Sequence, residues 1–196
     1  VLAHNGVKFF DIQFACARRG AICVLLNWRL TVTELEYILN DSSPMLLVHD
    51  ISFAESAEEL QRRCSIGELL AIDGGDAVSA YEQAAARFDG QDGGRAELTH
   101  DDLITIMYTS GTTGLPKGAM ITHGMNFWNS INLGIPAGIG LDTVHLNVLP
   151  LFHTGGLNCF SNPVLHAGGT VVILKAFDQG ETLQVLEIGR ASCRER

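Results

Sequence analysis

The chain has 196 residues, of which 46% are hydrophobic and 18% charged, and its formal net charge is −9. That length accommodates one ordinary domain or two small ones, with a composition that is globular and not disordered. The acidic balance argues against a general nucleic-acid binder, which needs clustered Lys and Arg to displace counterions, and against docking on anionic lipid. No apolar run approaches the roughly 18 residues of a membrane span. No signal peptide is evident, the sequence opens on Val1 as if entered mid-domain, and a cytoplasmic location is expected. The cysteines, Cys16, Cys23, Cys64, Cys159 and Cys193, form no C-x-x-C pair and read as free thiols of a reducing compartment.

Along the chain, residues 20–27 (GAICVLLN) are a short apolar run ending in a polar residue, which predicts a buried strand. Residues 33–44 predict a helix. Thr33 and Glu36 have the S/T-x-x-E spacing of a capping box, Leu35, Ile38 and Leu39 share one face, and Pro44 stops it. A second strand is expected at 45–50, a solvated helix at 54–63, a third strand at 68–73 and an Ala-rich helix at 77–88. This alternation predicts an α/β fold of mostly parallel sheets with crossover helices.

The Gly-rich polar stretch 89–97 reads as a loop and a seam between two α/β portions, 1–98 and 99–186. Further strands are expected at 103–109, 119–122, 144–150 and 170–175, with a helix over 123–133 and another between the last two strands, ending in a glycine turn. The last ten residues, EIGRASCRER (187–196), are basic and lack a packing pattern. They resemble a translated sequencing adapter and are set aside as an artefact tail.

From residue 103 to residue 177 there is one acid, Asp142, and two strong bases, Lys117 and Lys175. Strands buried on both faces account for most of this. A region that keeps carboxylates away from a bound anion accounts for it too. The stretch YTSGTTGLPKGA (108–119) favours the second explanation. Glycines let successive backbone N–H groups converge on one point and form an anion-binding nest. Thr109, Ser110, Thr112 and Thr113 add hydroxyl donors and Lys117 a charge on a flexible stem. The loop follows an apolar strand, where ligands sit in open α/β sheets. It is no Walker A loop, because the fifth residue after Gly111 is Pro116 and Lys117 is followed by Gly118. A flexible surface turn is the plain alternative, but a turn does not need four hydroxyls and a lysine.

The longer run YTSGTTGLPKGAMITH resembles the phosphate-binding signature of the adenylate-forming superfamily, which includes acyl-CoA synthetases, luciferases and peptide-synthetase adenylation domains. Residues 18–50 resemble the upstream region of the same large N-terminal domain, and LPLFHTGGL (149–157) resembles its next motif, so the likeness covers about residues 1–186 in order. The resemblance implies that a carboxylate attacks the α-phosphate of ATP to give an acyl-adenylate and pyrophosphate, after which a thiol, usually that of coenzyme A, takes the acyl group. It implies that Thr109, Ser110, Gly111, Thr112, Thr113, Gly114 and Lys117 grip the β- and γ-phosphates, with Thr112 and Lys117 and a Mg²⁺ ion stabilising the charge.

It implies also that His153 lines the acyl pocket, with Gly155 and Gly156 leaving room for the substrate. A lone histidine is otherwise a satisfied structural residue, and His123, His145 and His166 have no motif behind them; His123 reads as the cap of the next helix. No protein metal site is expected. Amino-acid-activating members usually carry Phe-Asp where this chain has Phe152 and His153, so a fatty or related acid is expected. The family's later Tyr-Gly-x-Thr-Glu segment, ribose-binding Asp, hinge residue and C-terminal lysine are not found here. Alone, the chain is therefore expected to be inactive. A non-catalytic nucleotide-binding module, an aggregating truncation product and a luciferase-like member remain alternatives.

Overall fold

The computed structural model describes residues 1–72, 78–109 and 114–187. Helix α1, Val7–Arg19, buries Phe9, Phe10, Ile12 and Gln13 and closes at Gly20, whose φ of 69° is left-handed. It was not expected from the sequence. Its N-cap position is Gly6, with no side-chain cap and no acid in the first turn, so its start carries no marker. Strand β1, Cys23–Leu25, lies within the predicted run.

Helix α2 spans Val32–Ser42 and buries Leu35, Ile38 and Leu39 as expected. Its capping box is not the predicted Thr33/Glu36 but Thr31/Glu34, two residues earlier. The Glu34 carboxylate accepts the Thr31 N–H and hydroxyl, each at 2.7 Å. The sequence T-V-T-E-L-E contains the capping spacing twice. The first copy is used because it puts Leu30 just before the cap and Leu35 at the fourth helical position, and both pack in one core cluster. Ser43 ends the helix at φ 44°, before Pro44.

Strand β2 (Leu46–His49), helix α3 (Ala54–Arg63), strand β3 (Glu68–Ala71) and helix α4 (Ala80–Ala86) fall inside their predicted ranges. Residues 89–97 carry no helix or strand and fold back on α1, where the Ala96 N–H donates to the Arg18 carbonyl at 3.0 Å. Strand β4 is Leu103–Thr109, and strand β5, Lys117–Thr122, begins two residues earlier than expected. Helix α5, His123–Ala137, is capped by Thr122, whose hydroxyl accepts the Met125 N–H at 3.1 Å. His123 is thus the first helical residue and not the cap, because a threonine oxygen fits the geometry at the end of β5.

Strand β6 is Val144–Asn147. The expected helix after it is built from α6 (Thr154–Gly156), a π-helical turn (Leu157–Ser161) and α7 (Asn162–His166). Pro163 has no N–H, and just before it the ladder slips, so that the Asn162 N–H reaches the Leu157 carbonyl. Ser161 Oγ donates to the Gly156 carbonyl at 2.7 Å. Strand β7 (Thr170–Ile173) and helix α8 (Gln179–Glu187) complete the order; α8 was not expected. Residues 188–196 of the predicted tail lie outside the described residues.

The strands form three ladders, β1-β4-β5, β2-β3 and β6-β7. The pairs β1–β4, β2–β3 and β6–β7 are parallel and β4–β5 is an antiparallel hairpin. Val1 and Leu2 lie between β1 and β2: the Leu26 N–H donates to the Val1 carbonyl at 3.0 Å, and the Leu2 N–H to Val48 at 2.8 Å. One core cluster joins Phe9, Phe10 and Ile12 of α1 to Cys23, Leu25, Met107, Leu151 and Leu157. A second joins Leu35, Ile38 and Leu39 of α2 to Leu26, Leu47, Ala57 and Leu60.

The choice of cap is testable by urea denaturation. Thr31→Ala should lower stability by about 1 kcal/mol, as loss of a helix cap does. Thr33→Ala should change it by less than about 0.5 kcal/mol, as an exposed substitution away from a cap does.

Candidate functional site

The parallel strands β1 and β4 end side by side, at Leu25 and Thr109, and beyond their carboxyl ends opens a cleft of about 570 Å³. Binding crevices of open α/β sheets form at this end of the strands. Its walls come from four places. Leu25 and Asn27 close the β1 side, and one face of α2 supplies Thr33, Glu34, Tyr37 and Ile38. The hairpin contributes Tyr108, Thr109, Gly114, Leu115 and Pro116, and Phe152 and His153 complete the lining.

Thr109 and Lys117 face each other as the last pair of the β4–β5 ladder. Both are exposed. Gly114 has φ 98°, a backbone that other residues rarely adopt, which explains glycine there. Ser110, Gly111, Thr112 and Thr113 lie outside the described residues.

His153 reaches the cleft from the segment before α6. Its Nδ1 accepts the Gly155 N–H at 3.1 Å, so the ring caps α6 while lining the cleft. Gly155 and Gly156 are not among the residues that line the cleft. Gly156 is buried, and a Cβ on it would stand 2.3 Å from the Pro150 carbonyl oxygen, so the close backbone approach itself requires glycine there.

Several residues of the site carried no signal in the sequence. Asn5 clamps the His153 segment from the start of the chain: its Nδ2 donates to the Leu149 and Leu174 carbonyls at 2.9 and 3.2 Å, and its Oδ1 accepts the Leu151 N–H at 2.9 Å. Asn162 binds Asn126 and Asn158 at 3.2 and 2.9 Å and ties the far side of that helix to α5. The Arg29 guanidinium lies 4.9 Å over the Trp28 ring and 5.8 Å over that of Phe152, a cation–π contact that holds Phe152 in place. Tyr108 Oη donates to Asp41 at 2.5 Å. Spacing along the chain could not have found the Asn5, Asn126–Asn162, Arg29–Phe152 and Tyr108–Asp41 contacts, since each joins residues far apart in sequence.

The cleft is poor in available negative charge. Glu34 is the acid among its described lining residues, and hydrogen bonds from the Thr31 backbone and hydroxyl hold its carboxyl below its ordinary range. Lys117 is paired with no carboxylate among the described residues. With Glu34 committed to its cap, the described residues that line the cleft offer no further carboxylate for a Mg²⁺ ion. His145, on β6, is pushed down by burial. It does not line the cleft.

The sequence pattern of the AMP-binding enzyme family matches residues 1–192. The chain belongs to that family. Among its AMP-binding relatives, a feruloyl-CoA synthase of Amycolatopsis sp is 36% identical over 191 residues, covering 97% of this chain and 36% of the relative. An indoleacetate–CoA ligase of Aromatoleum aromaticum is 34% identical, covering 95% and 37%. ATP-bound MatB of Rhodopseudomonas palustris superposes with a TM-score of 0.82 at 31% identity, over 97% of this chain and 37% of MatB. A long-chain-fatty-acid-CoA ligase of Archaeoglobus fulgidus gives 0.85 at 26% identity, again over 97% and 37%. The chain thus spans little more than a third of the length of the curated AMP-binding enzymes it matches.

The clamp on the His153 segment can be checked directly. Leu151 is fully buried, so Asn5→Ala strands its N–H without an acceptor. A loss of about 1–3 kcal/mol in chemical denaturation is expected, with faster amide exchange over residues 149–157.

Proposed function

We propose that the full-length protein activates a carboxylic acid with ATP and passes the acyl group to coenzyme A. The observation that carries this reading is that the hairpin residues Thr109 and Gly114 line one cleft together with Phe152 and His153. A triphosphate held by the hairpin would put its reacting phosphorus toward the wall that His153 lines. In the first step a carboxylate oxygen of the acid bonds to the α-phosphorus, and the bond to the leaving pyrophosphate breaks. In the second the thiol sulfur of coenzyme A bonds to the acyl carbon, its proton is lost to water, and AMP leaves.

The difficulty of the first step is an anion attacking an anion. On this reading the hydroxyls of Thr109, Ser110, Thr112 and Thr113, the backbone N–H groups at Gly111 and Gly114 and the Lys117 ammonium supply fixed dipoles and charge where pyrophosphate develops. The acid-poor stretch from 103 to 177 keeps carboxylates away from it. Membership of the AMP-binding family and the likeness to an ATP-bound enzyme support this assignment.

For the acid, the reading is a fatty or aryl carboxylic acid without an amine. Phe152 and His153 place no carboxylate where an ammonium would need one, and the relatives are named for ferulate, indoleacetate and long-chain fatty acids. The chain covers little more than a third of these relatives, and on this reading the 196 residues by themselves are expected to show no acid-dependent turnover.

The test is acid-dependent pyrophosphate exchange by the full-length enzyme against a panel of fatty, aryl and amino acids. Activity with fatty or aryl acids is expected; activity confined to amino acids, or none with any acid, would overturn the assignment. Lys117→Ala and Thr112→Ala should each lower kcat by about 10²–10³, as removal of one transition-state donor does elsewhere. Their thermal melting should stay near that of the parent. Robust turnover by the isolated chain would contradict the incompleteness argued above.

A further inference from the structure

We propose that the hydrogen bond from the Tyr108 hydroxyl to the Asp41 carboxylate is a latch that fixes the root of the hairpin against α2, which makes Tyr108 and Asp41 positioning residues for the phosphate-binding loop. The inference rests on the nucleotide reading above for the identity of the ligand, and on geometry for the latch itself.

The bond is 2.5 Å long and joins residues 67 apart in sequence. Tyr108 immediately precedes Thr109 and is paired in register with Gly118, so its side chain acts on both strands where they leave the sheet. The ring lies across Gly118: a Cβ on that residue would stand 3.2 Å from Tyr108 Cζ and 2.9 Å from Ile106 Cγ2. The same ring packs against the core cluster that contains Leu35, Ile38 and Leu39 of α2. Tyr108 is thus confined on its face by the partner strand and at its tip by α2.

Asp41 is the more telling member of the pair. It sits in the last turn of α2, where the negative end of the helix dipole disfavours a carboxylate, and that turn holds no base to offset it. An acid there weakens the helix, so its place is explained by what it accepts. Burial and the Asp41 carboxylate both push the Tyr108 phenol up, so it stays a donor at neutral pH. The face of α2 that lines the cleft, through Thr33, Glu34, Tyr37 and Ile38, continues one turn further to Asp41. The latch therefore sets how far the hairpin stands from the opposing wall.

The experiment uses the full-length enzyme with Tyr108→Phe, Asp41→Ala, the double variant and Asp41→Asn, which keeps an acceptor oxygen. Two quantities are read. One is amide exchange over residues 106–120 without substrate. The other is KM for ATP in acid-dependent pyrophosphate exchange, with KM for the acid as internal reference. Loss of a hydrogen bond to a charged group at this partly exposed site should speed hairpin exchange and raise KM for ATP by about three- to tenfold. KM for the acid should stay within about twofold, a change small beside the worth of one such bond.

The double variant should be no worse than either single one, because both remove the same interaction, and Asp41→Asn should recover most of the loss. Unchanged exchange in Tyr108→Phe, or additive effects in the double variant, would overturn the latch. Faster exchange with KM for ATP unmoved and KM for the acid raised would support the latch and overturn the assignment of the hairpin to the nucleotide.

Discussion

Strand β4 is hydrogen-bonded to β1 along one edge and to β5 along the other, and its Ile104, Thr105 and Met107 are buried, so its path cannot shift without opening both ladders. The candidate site inherits that rigidity. Thr109 is the last residue of the strand, and the hairpin leaves the sheet in the register that pairs Thr109 with Lys117. A loop rich in glycine and threonine would be too adaptable by itself to hold a polyphosphate in one place. It leaves the doubly paired β4 at Thr109 and returns at Lys117 to β5, which pairs with β4, so both its ends have a fixed origin.

Charge follows the same division. The chain is acidic overall, yet the stretch that carries β4, the hairpin, α5 and the His153 segment has the single acid Asp142. Part of this is burial, since Ile104, Thr105 and Met107 could not tolerate charge. Burial cannot explain the exposed part, where Thr109, Gly114 and Lys117 face solvent without a neighbouring carboxylate in sequence. Glu34 of α2 also lines the cleft, but its carboxylate is turned onto Thr31 and serves the start of α2. A capping box therefore both begins the helix and keeps the acid of the cleft lining occupied.

How much of this was legible in the sequence varied with the range of the interaction. Strand β4 and the helix after His153 are local patterns, and they lie where the residues put them. The start of α2 was misplaced by two residues because T-x-x-E occurs twice, and only the packing of Leu30 beside Leu35 chooses between the copies. His123 was read as a cap because it follows the strand; Thr122, one residue earlier, has the shorter reach and the oxygen. Helix α1 has no capping signal, and its buried Gln13 breaks the apolar stripe that would have announced it. Asn5, Arg29 and the Tyr108–Asp41 pair join distant parts of the chain and leave no trace in spacing.

The two core clusters give the cleft its shape. Successive residues of a strand point to opposite faces, and on β4 this sends Met107 into the cluster built around α1 and Tyr108 against the cluster built around α2. The wall carrying His153 is anchored by Leu151 and Leu157, which belong to the first cluster, while the α2 wall belongs to the second. The cleft is therefore the surface trace of the boundary between two separately packed cores. Close-packed interiors resist deformation, so each wall of the cleft is held by the core behind it. The hairpin root, with Met107 in one core and Tyr108 against the other, is tied to both.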